Sequence, residues 1–233
     1  CYSTLAIAGV WRREGRWDLE DETHTLVETY RDGWAWSVPL SSQVRYFTVM
    51  VDSRATPLAR GRGLPAIYQA ELEKTQHLRR ILAGAGLQSP PWGCDASLYW
   101  SDRPAGENFL LVGDAASFIE PLSSFGVKKA LASAWVGAVV VNTCFRRPEM
   151  RQMALDFYAD RERRVYASSL RQSAEYFREA AREHGHRFWA SRAAVSADAN
   201  LWEPDGEEEL RRDPEVRAAF EALKSSAWIR LQR

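Results

Sequence analysis

The stretch FLLVGDAASFIEPLSSFGVKKALASAW, residues 109–135, limits the possible folds more than any other part of the chain. Its first four residues, FLLV, are apolar and suited to a buried strand in the middle of a parallel sheet. Gly113 then permits a sharp turn or the close approach of a ligand. Asp114 follows just past the carboxyl end of that strand, where open α/β sheets place their ligands. A carboxylate there can accept hydrogen bonds from ribose or ribityl hydroxyls, or it can simply cap the turn, a frequent use of aspartate after glycine. Residues 121–126 are small, polar and turn-prone, and an apolar helix follows at once. The free N–H groups at such a helix start attract phosphate or halide. Lys128 and Lys129 lie in that first turn, where cations oppose the helix dipole. A bound anion would relieve the conflict, and full solvation of both lysines would make it tolerable.

The 233 residues can bury a real core as one large domain or two small ones. The 31 basic and 31 acidic side chains cancel, which argues against a nucleic-acid surface or a polybasic membrane anchor. Ten tryptophans suit an aromatic-lined pocket or a large core equally well. Cys1, Cys94 and Cys144 are far apart and form neither a disulfide framework nor a CxxC site, so inert thiols in a reducing cytoplasm are expected. The sequence opens on a strand pattern with no signal peptide, and we expect it to begin inside a longer protein. ALASAWVGAVVVNTCF, residues 130–145, is shorter than a membrane span and is expected to be a helix buried on all sides.

Alternation in YSTLAIAGVW, HTLVETY, GWAWSVPL and RYFTVMVD predicts four strands within residues 1–52, in a mostly antiparallel sheet with one covered face. Leu78, Ile81, Leu82 and Ala85 predict one helix from Pro65 to about Ala85. Residues 98–100 form a short strand in this reading. A long helix over about 149–183 carries the stripe Tyr166, Leu170, Ala174, Phe177 and Ala181, its charges forming a solvated face of i, i+4 pairs. PDGEEEL is an acidic loop, and a last short helix is expected near 215–228.

GDAASFIEPLSSFGVKKALASA resembles the second flavin-binding motif of FAD-dependent monooxygenases and their relatives, the geranylgeranyl reductases and flavin-dependent halogenases among them. WAWSVP, Trp34 to Pro39, is similar to the WxWxIP motif of the halogenases, with Val38 in place of isoleucine. The resemblance implies FAD as cofactor, with Gly113 and Asp114 contacting it. It further implies that Pro121, Ser124, Phe125 and Gly126 pass close to the flavin ring, and that Val127 opens the helix beneath. Trp34, Trp36 and Phe125 are the candidate walls of a substrate pocket. The two tryptophans, two residues apart on one strand face, can also simply close a core.

The implied fold class is α/β: a substrate-domain sheet over residues 1–105, the second FAD motif of a Rossmann-like domain over 106–146, and a helical region over 147–233. The GxGxxG segment of such a domain is not found here. Gly61-Arg62-Gly63 lacks a preceding apolar strand and cannot serve. The sequence also departs from the pattern of tryptophan-type halogenases, which carry a glutamate two residues after the loop proline and then Ser-Thr-Gly. Here Ser123, Ser124, Phe125 and Gly126 stand in that order. No catalytic acid or base is assigned. His184 and His186 flank Gly185 without other ligands at metal spacing, so no metal site is expected.

The expected function is the C-terminal part of an oxygen-activating FAD-dependent oxidoreductase, a monooxygenase or halogenase. An aromatic or secondary-metabolite substrate, a possible halide, and a separate flavin reductase or NAD(P)H as electron source are implied. On its own the chain is expected to be inactive. A reductase of the geranylgeranyl type and a non-catalytic remnant module are the alternatives.

Overall fold

The computed structural model describes residues 2–56 and 63–195, together with helical backbone at 212, 214, 217, 218 and 221. The chain forms two compact units, Cys1–Ala197 and Asp198–Arg233. The acidic loop and most of the expected last helix lie outside the described residues, as do Gly61 and Arg62.

The first unit is built on an antiparallel sheet. Its strands β1 (Thr4–Arg12), β2 (Leu26–Tyr30), β3 (Gly33–Pro39) and β4 (Val44–Asp52) are those predicted from alternation. The order is β2-β3-β4-β1, with β5 (Gly86–Leu87) and β6 (Trp92–Asp95) both pairing with the free side of β1. The β6 segment was not expected as a strand because prolines and a glycine surround it. It pairs with residues Leu5 to Ala8 of β1 as an exposed edge strand, where such residues are tolerated.

Both faces of this sheet are covered, not one. Register places Ile7, Val49 and Ala35 side by side, and with Phe47, Val51 and Trp11 they pack against Ile67, Tyr68, Leu72, Leu78 and Ile81. Those partners come from α1 (Leu64–Leu72) and α2 (His77–Leu82). Gly9 sits on this face, where a Cβ would fall 2.9 Å from the Tyr68 ring. The Tyr68 hydroxyl accepts from Trp11 Nε1 and donates to the Phe47 carbonyl, at 2.9 and 2.8 Å. On the opposite face Trp34 and Met50 bury themselves against Phe177, Phe188 and Trp189. The small Ala6 and Ala8 made that face look uncovered in the sequence. Its cover comes from α4 (Arg151–His184) and α5 (Arg187–Ala193), more than a hundred positions away.

The expected single helix over 65–85 is two helices. The carboxylate of Glu28 on β2 accepts the backbone N–H groups of Gln76, His77 and Leu78, and Thr75 Oγ1 accepts from Arg79 at 3.1 Å. These acceptors start α2 afresh, because the first N–H groups of a helix have no partner inside it.

Three further elements depart from expectation. Residues 109–112 do not form a buried parallel strand. β9 (Phe109–Leu110) pairs antiparallel with β8 (Ala105–Gly106), and Phe109 and Val112 are exposed. The apolar helix α3 (Gly126–Arg146) is buried on one side only. Its inward residues are Lys129, Ser133, Gly137 and Val140, while Val127, Leu131, Trp135, Val139 and Phe145 face outward. Among the described residues no helix is long and apolar enough to cross a membrane. In α4, Ala174 and Phe177 of the expected stripe are buried, and Tyr166, Leu170 and Ala181 half-buried. Asp160–Arg164 and Glu175–Arg178 pair along its outer side, as a solvated face requires.

Glu28→Ala removes the acceptor for the α2 start. It should lower unfolding stability by about 1 kcal/mol in urea titration, whereas an unchanged midpoint would contradict the capping role.

Candidate functional site

The Gly-Asp turn is a short 3-10 turn, Gly113–Ala115, followed by β10 (Ser117–Phe118), which pairs antiparallel with β7 (Tyr99–Trp100). Gly113 has φ +61°, a left-handed backbone that favours glycine, and a Cβ there would meet the Ala130 Cβ at 3.1 Å. The turn therefore lies directly on α3. The Gly113 N–H donates to Ser133 Oγ at 2.8 Å, and its carbonyl accepts from Lys129 Nζ at 3.2 Å.

Lys129 is the residue that organises this region. Its ammonium is buried, also donates to the Ser117 carbonyl and to Ser117 Oγ at 3.1 Å, and forms an ion pair with the Asp114 carboxylate at 3.4 Å. Neither reading of the sequence, a bound anion or a solvated lysine, describes it. Lys129 turns away from the helix start and spends its donors on the turn, while Lys128 stays exposed with its ammonium 5.0 Å above the Phe125 ring. A buried ammonium is tolerable only when its protons are bonded, and these acceptors supply that. The sequence signal was the stripe Lys129, Ser133, Gly137 and Val140, which puts Lys129 on the small-residue face of the helix.

Asp114 does double duty. One carboxylate oxygen is tethered to Lys129, yet the side chain is 58% exposed and can accept a hydroxyl from outside. The Tyr99 hydroxyl donates to the Asp114 backbone carbonyl and closes the turn from the far side.

The following loop is equally defined. Pro121–Ser123 is a 3-10 turn, and Ser124 has a left-handed φ of +56°. Ser123 Oγ donates to the Glu120 carbonyl at 2.7 Å and accepts from the Phe125 N–H at 3.3 Å. The side chain of the N-cap residue Phe125 makes no cap bond to α3, and the space where a Gly126 Cβ would stand is open. Ser124, Phe125 and Val127 are exposed, and Pro121 and Gly126 half-buried. The turn at Gly113 and Asp114 and the loop at 121–127 thus converge on the first turns of α3.

Trp34 and Trp36 lie elsewhere, edge to face at 5.3 Å on the sheet face covered by α4 and α5. Trp34 is fully buried in that core, and Trp36 is half-buried. Leu122 packs against the same cluster, so the loop and the tryptophan pair meet through this leucine and Phe118.

Under the loop sits a carboxyl that sequence reading missed. Glu120 is 2% exposed, and burial pushes its pKa up to about 7. Glu162 on α4 is also buried beside Arg161, and burial raises its pKa as well. The two histidines near α5 have structural roles: His184 Nε2 meets Thr29 Oγ1 at 2.9 Å, and His186 Nδ1 accepts the Phe188 N–H at 3.2 Å to cap α5.

A family model described as tryptophan halogenase matches residues 6–207. The chain belongs to that family. One curated relative, a tryptophan 2-halogenase of Chondromyces crocatus, is 26% identical over 164 residues, covering 67% of this chain and 30% of the relative. Among solved structures, the flavin-dependent halogenase CmlS superposes with TM-score 0.77 at 23% identity, over 96% of this chain and 38% of that one. QhpG, a peptidyl tryptophan dihydroxylase, gives TM-score 0.67 at 26% identity over 84% of this chain and 45% of that one. The chain spans about a third of the length of the curated relatives it matches.

Lys129→Met keeps the length of the side chain and removes every donor. Losing the ammonium's bonds to the Gly113 and Ser117 carbonyls and to Ser117 Oγ should cost about 2–3 kcal/mol of stability by chemical denaturation, and a neutral result would show that the ammonium does not hold the turn.

Proposed function

We propose that this chain carries the substrate-side sheet and the second flavin-contacting segment of an FAD-dependent oxidoreductase acting on an aromatic small molecule. The observation that carries the reading is the outward Asp114 carboxylate, tethered by Lys129, beside the start of α3, which its N-cap side chain leaves uncapped. The residues present fit the cofactor. Gly113 lets the turn lie directly on α3, Asp114 offers an acceptor for ribityl hydroxyls, and the α3 amides offer donors to phosphate or ring carbonyl oxygen. Pro121, Ser124, Phe125, Gly126 and Val127 would then border the flavin ring. When bound, FAD supplies the activation of oxygen, while the protein orients and shields it. Trp36 and Phe125 offer accessible aromatic surface to a substrate, with Trp34 supporting Trp36 from below.

Oxygen transfer without halide is the branch that the loop favours. Ser123 stands where tryptophan-type halogenases carry a glutamate, and it is committed to the loop's own hydrogen bonds. Phe125, with the Lys128 ammonium over its ring, stands before Gly126 where those halogenases carry a small residue. A separate flavin reductase or NAD(P)H would supply electrons. Cys94, an exposed free thiol, suits a reducing cytoplasm.

In the protein as its own cell makes it, Asp114→Ala should weaken FAD binding by about tenfold or more, read by quenching of flavin fluorescence. Unchanged affinity would contradict the assignment. With a phenolic or indolic substrate, reduced flavin, oxygen and bromide, the expected product gains oxygen. A brominated product would overturn the preference for oxygenation.

A further inference from the structure

Glu120 immediately precedes the loop proline, and its surroundings are unusual for a carboxyl. The side chain is 2% exposed, and among the described residues Oε1 has no hydrogen-bond partner. Oε2 accepts from the Tyr2 hydroxyl at 3.4 Å, and the Leu122 backbone N–H also favours its charged form. Arg192 of α5 faces it electrostatically from the interior, without a close ion pair. That guanidinium is itself 1% exposed, lies 3.6 Å from the centre of the Phe188 ring and 4.5 Å from that of Tyr2, and donates to Thr4 Oγ1 at 3.0 Å. Asp52, at the end of β4, also acts on Arg192, and Tyr166 of α4 acts on Tyr2. The Glu120 backbone carbonyl, meanwhile, takes both the N–H and the hydroxyl of Ser123, at 3.1 and 2.7 Å. One residue thus joins the loop to Tyr2, ahead of β1, within the field of Arg192 on α5.

We propose that Glu120 is the positioning residue of the 121–126 loop: its buried carboxyl keeps the loop packed against Tyr2 while protonated and releases it on ionisation. The physical reason is the unpartnered oxygen. Arg192, the Leu122 N–H and the Tyr2 hydroxyl all favour the carboxylate, but burial with one oxygen lacking a donor outweighs them, and opening the loop admits water to solvate the charge. The raised pKa agrees in sign. A carboxyl whose folded pKa is raised from 4.5 to about 7 contributes stability that is fully present below the lower value. The contribution declines between the two and is lost once the pH has risen through the folded pKa. The loop therefore loosens as the solution approaches neutrality. The flavin reading gives this its significance, since the same loop would border the ring, but the latch is tested without flavin.

The test is amide hydrogen exchange of residues 121–126 in the flavin-free protein, corrected for the intrinsic pH dependence of exchange. Wild-type protection should fall by at least about tenfold between about pH 5 and about pH 7. Glu120→Gln, neutral at every pH and of the same shape, should retain the acid-form protection throughout, while Glu120→Ala should lose it throughout. A Glu120→Gln protein with the wild-type pH profile would overturn the proposal, as would a wild-type profile that is flat. Failure of FAD to bind would sink the flavin reading and leave this result standing.

Discussion

The candidate site depends on one buried ammonium. Lys129 reaches back from the first turn of α3 to two carbonyls, a hydroxyl and a carboxylate, all within residues 113–117. These contacts anchor the turn to the helix, and without them the ammonium would be an unsolvated buried charge. Neither side is stable without the other, which is why the turn has one geometry. Moving the cation inward also leaves the start of α3 free of a positive side chain at that position, so its amides remain available to a negatively charged ligand.

The rest of the fold positions this unit. Ser133 continues the polar seam by taking the Gly113 N–H, and Tyr158 of α4 lies against the helix beside Gly137. Tyr158 then donates to the Leu111 carbonyl at 2.8 Å, so α4 holds the approach to the turn as well. The far end of α4 and α5 covers the sheet through Phe177, Phe188 and Trp189, whose indole donates to the Tyr30 carbonyl at 3.0 Å. Turn, loop and sheet are therefore parts of one packed body in which Leu122 and Phe118 are the joint.

Four strands could be read directly, because Phe47, Val49 and Val51 alternate with residues of the other face and alternation is enforced by burial. The Gly-Asp turn and its following loop were legible for a different reason: their residue types have few other uses in that order. What could not be read was orientation. The run of apolar residues in α3 suggested complete burial, yet the inward stripe is the polar and small one, and the bulky residues Leu131, Trp135 and Phe145 point outward. Hydropathy counts side chains but does not say which face has a neighbour. For the same reason residues 109–112 looked like a central strand, although β8 is the pairing partner of Phe109 and Leu110. The helix break before α2 was hidden because its cause, Glu28, lies 48 positions upstream of Gln76. Glu120 was passed over because burial, not its neighbours in sequence, makes it unusual.

The most direct test of the account is the reactivity of the lysines toward an acylating reagent under native conditions, resolved by peptide mass spectrometry. Lys128 and Lys129 are adjacent in sequence, so any difference between them reports their surroundings alone. Lys128, exposed beside Phe125, should be modified readily, and Lys129 should stay unmodified until the protein is denatured. Equal modification of the two in the folded protein would contradict the claim that a buried ammonium builds the site.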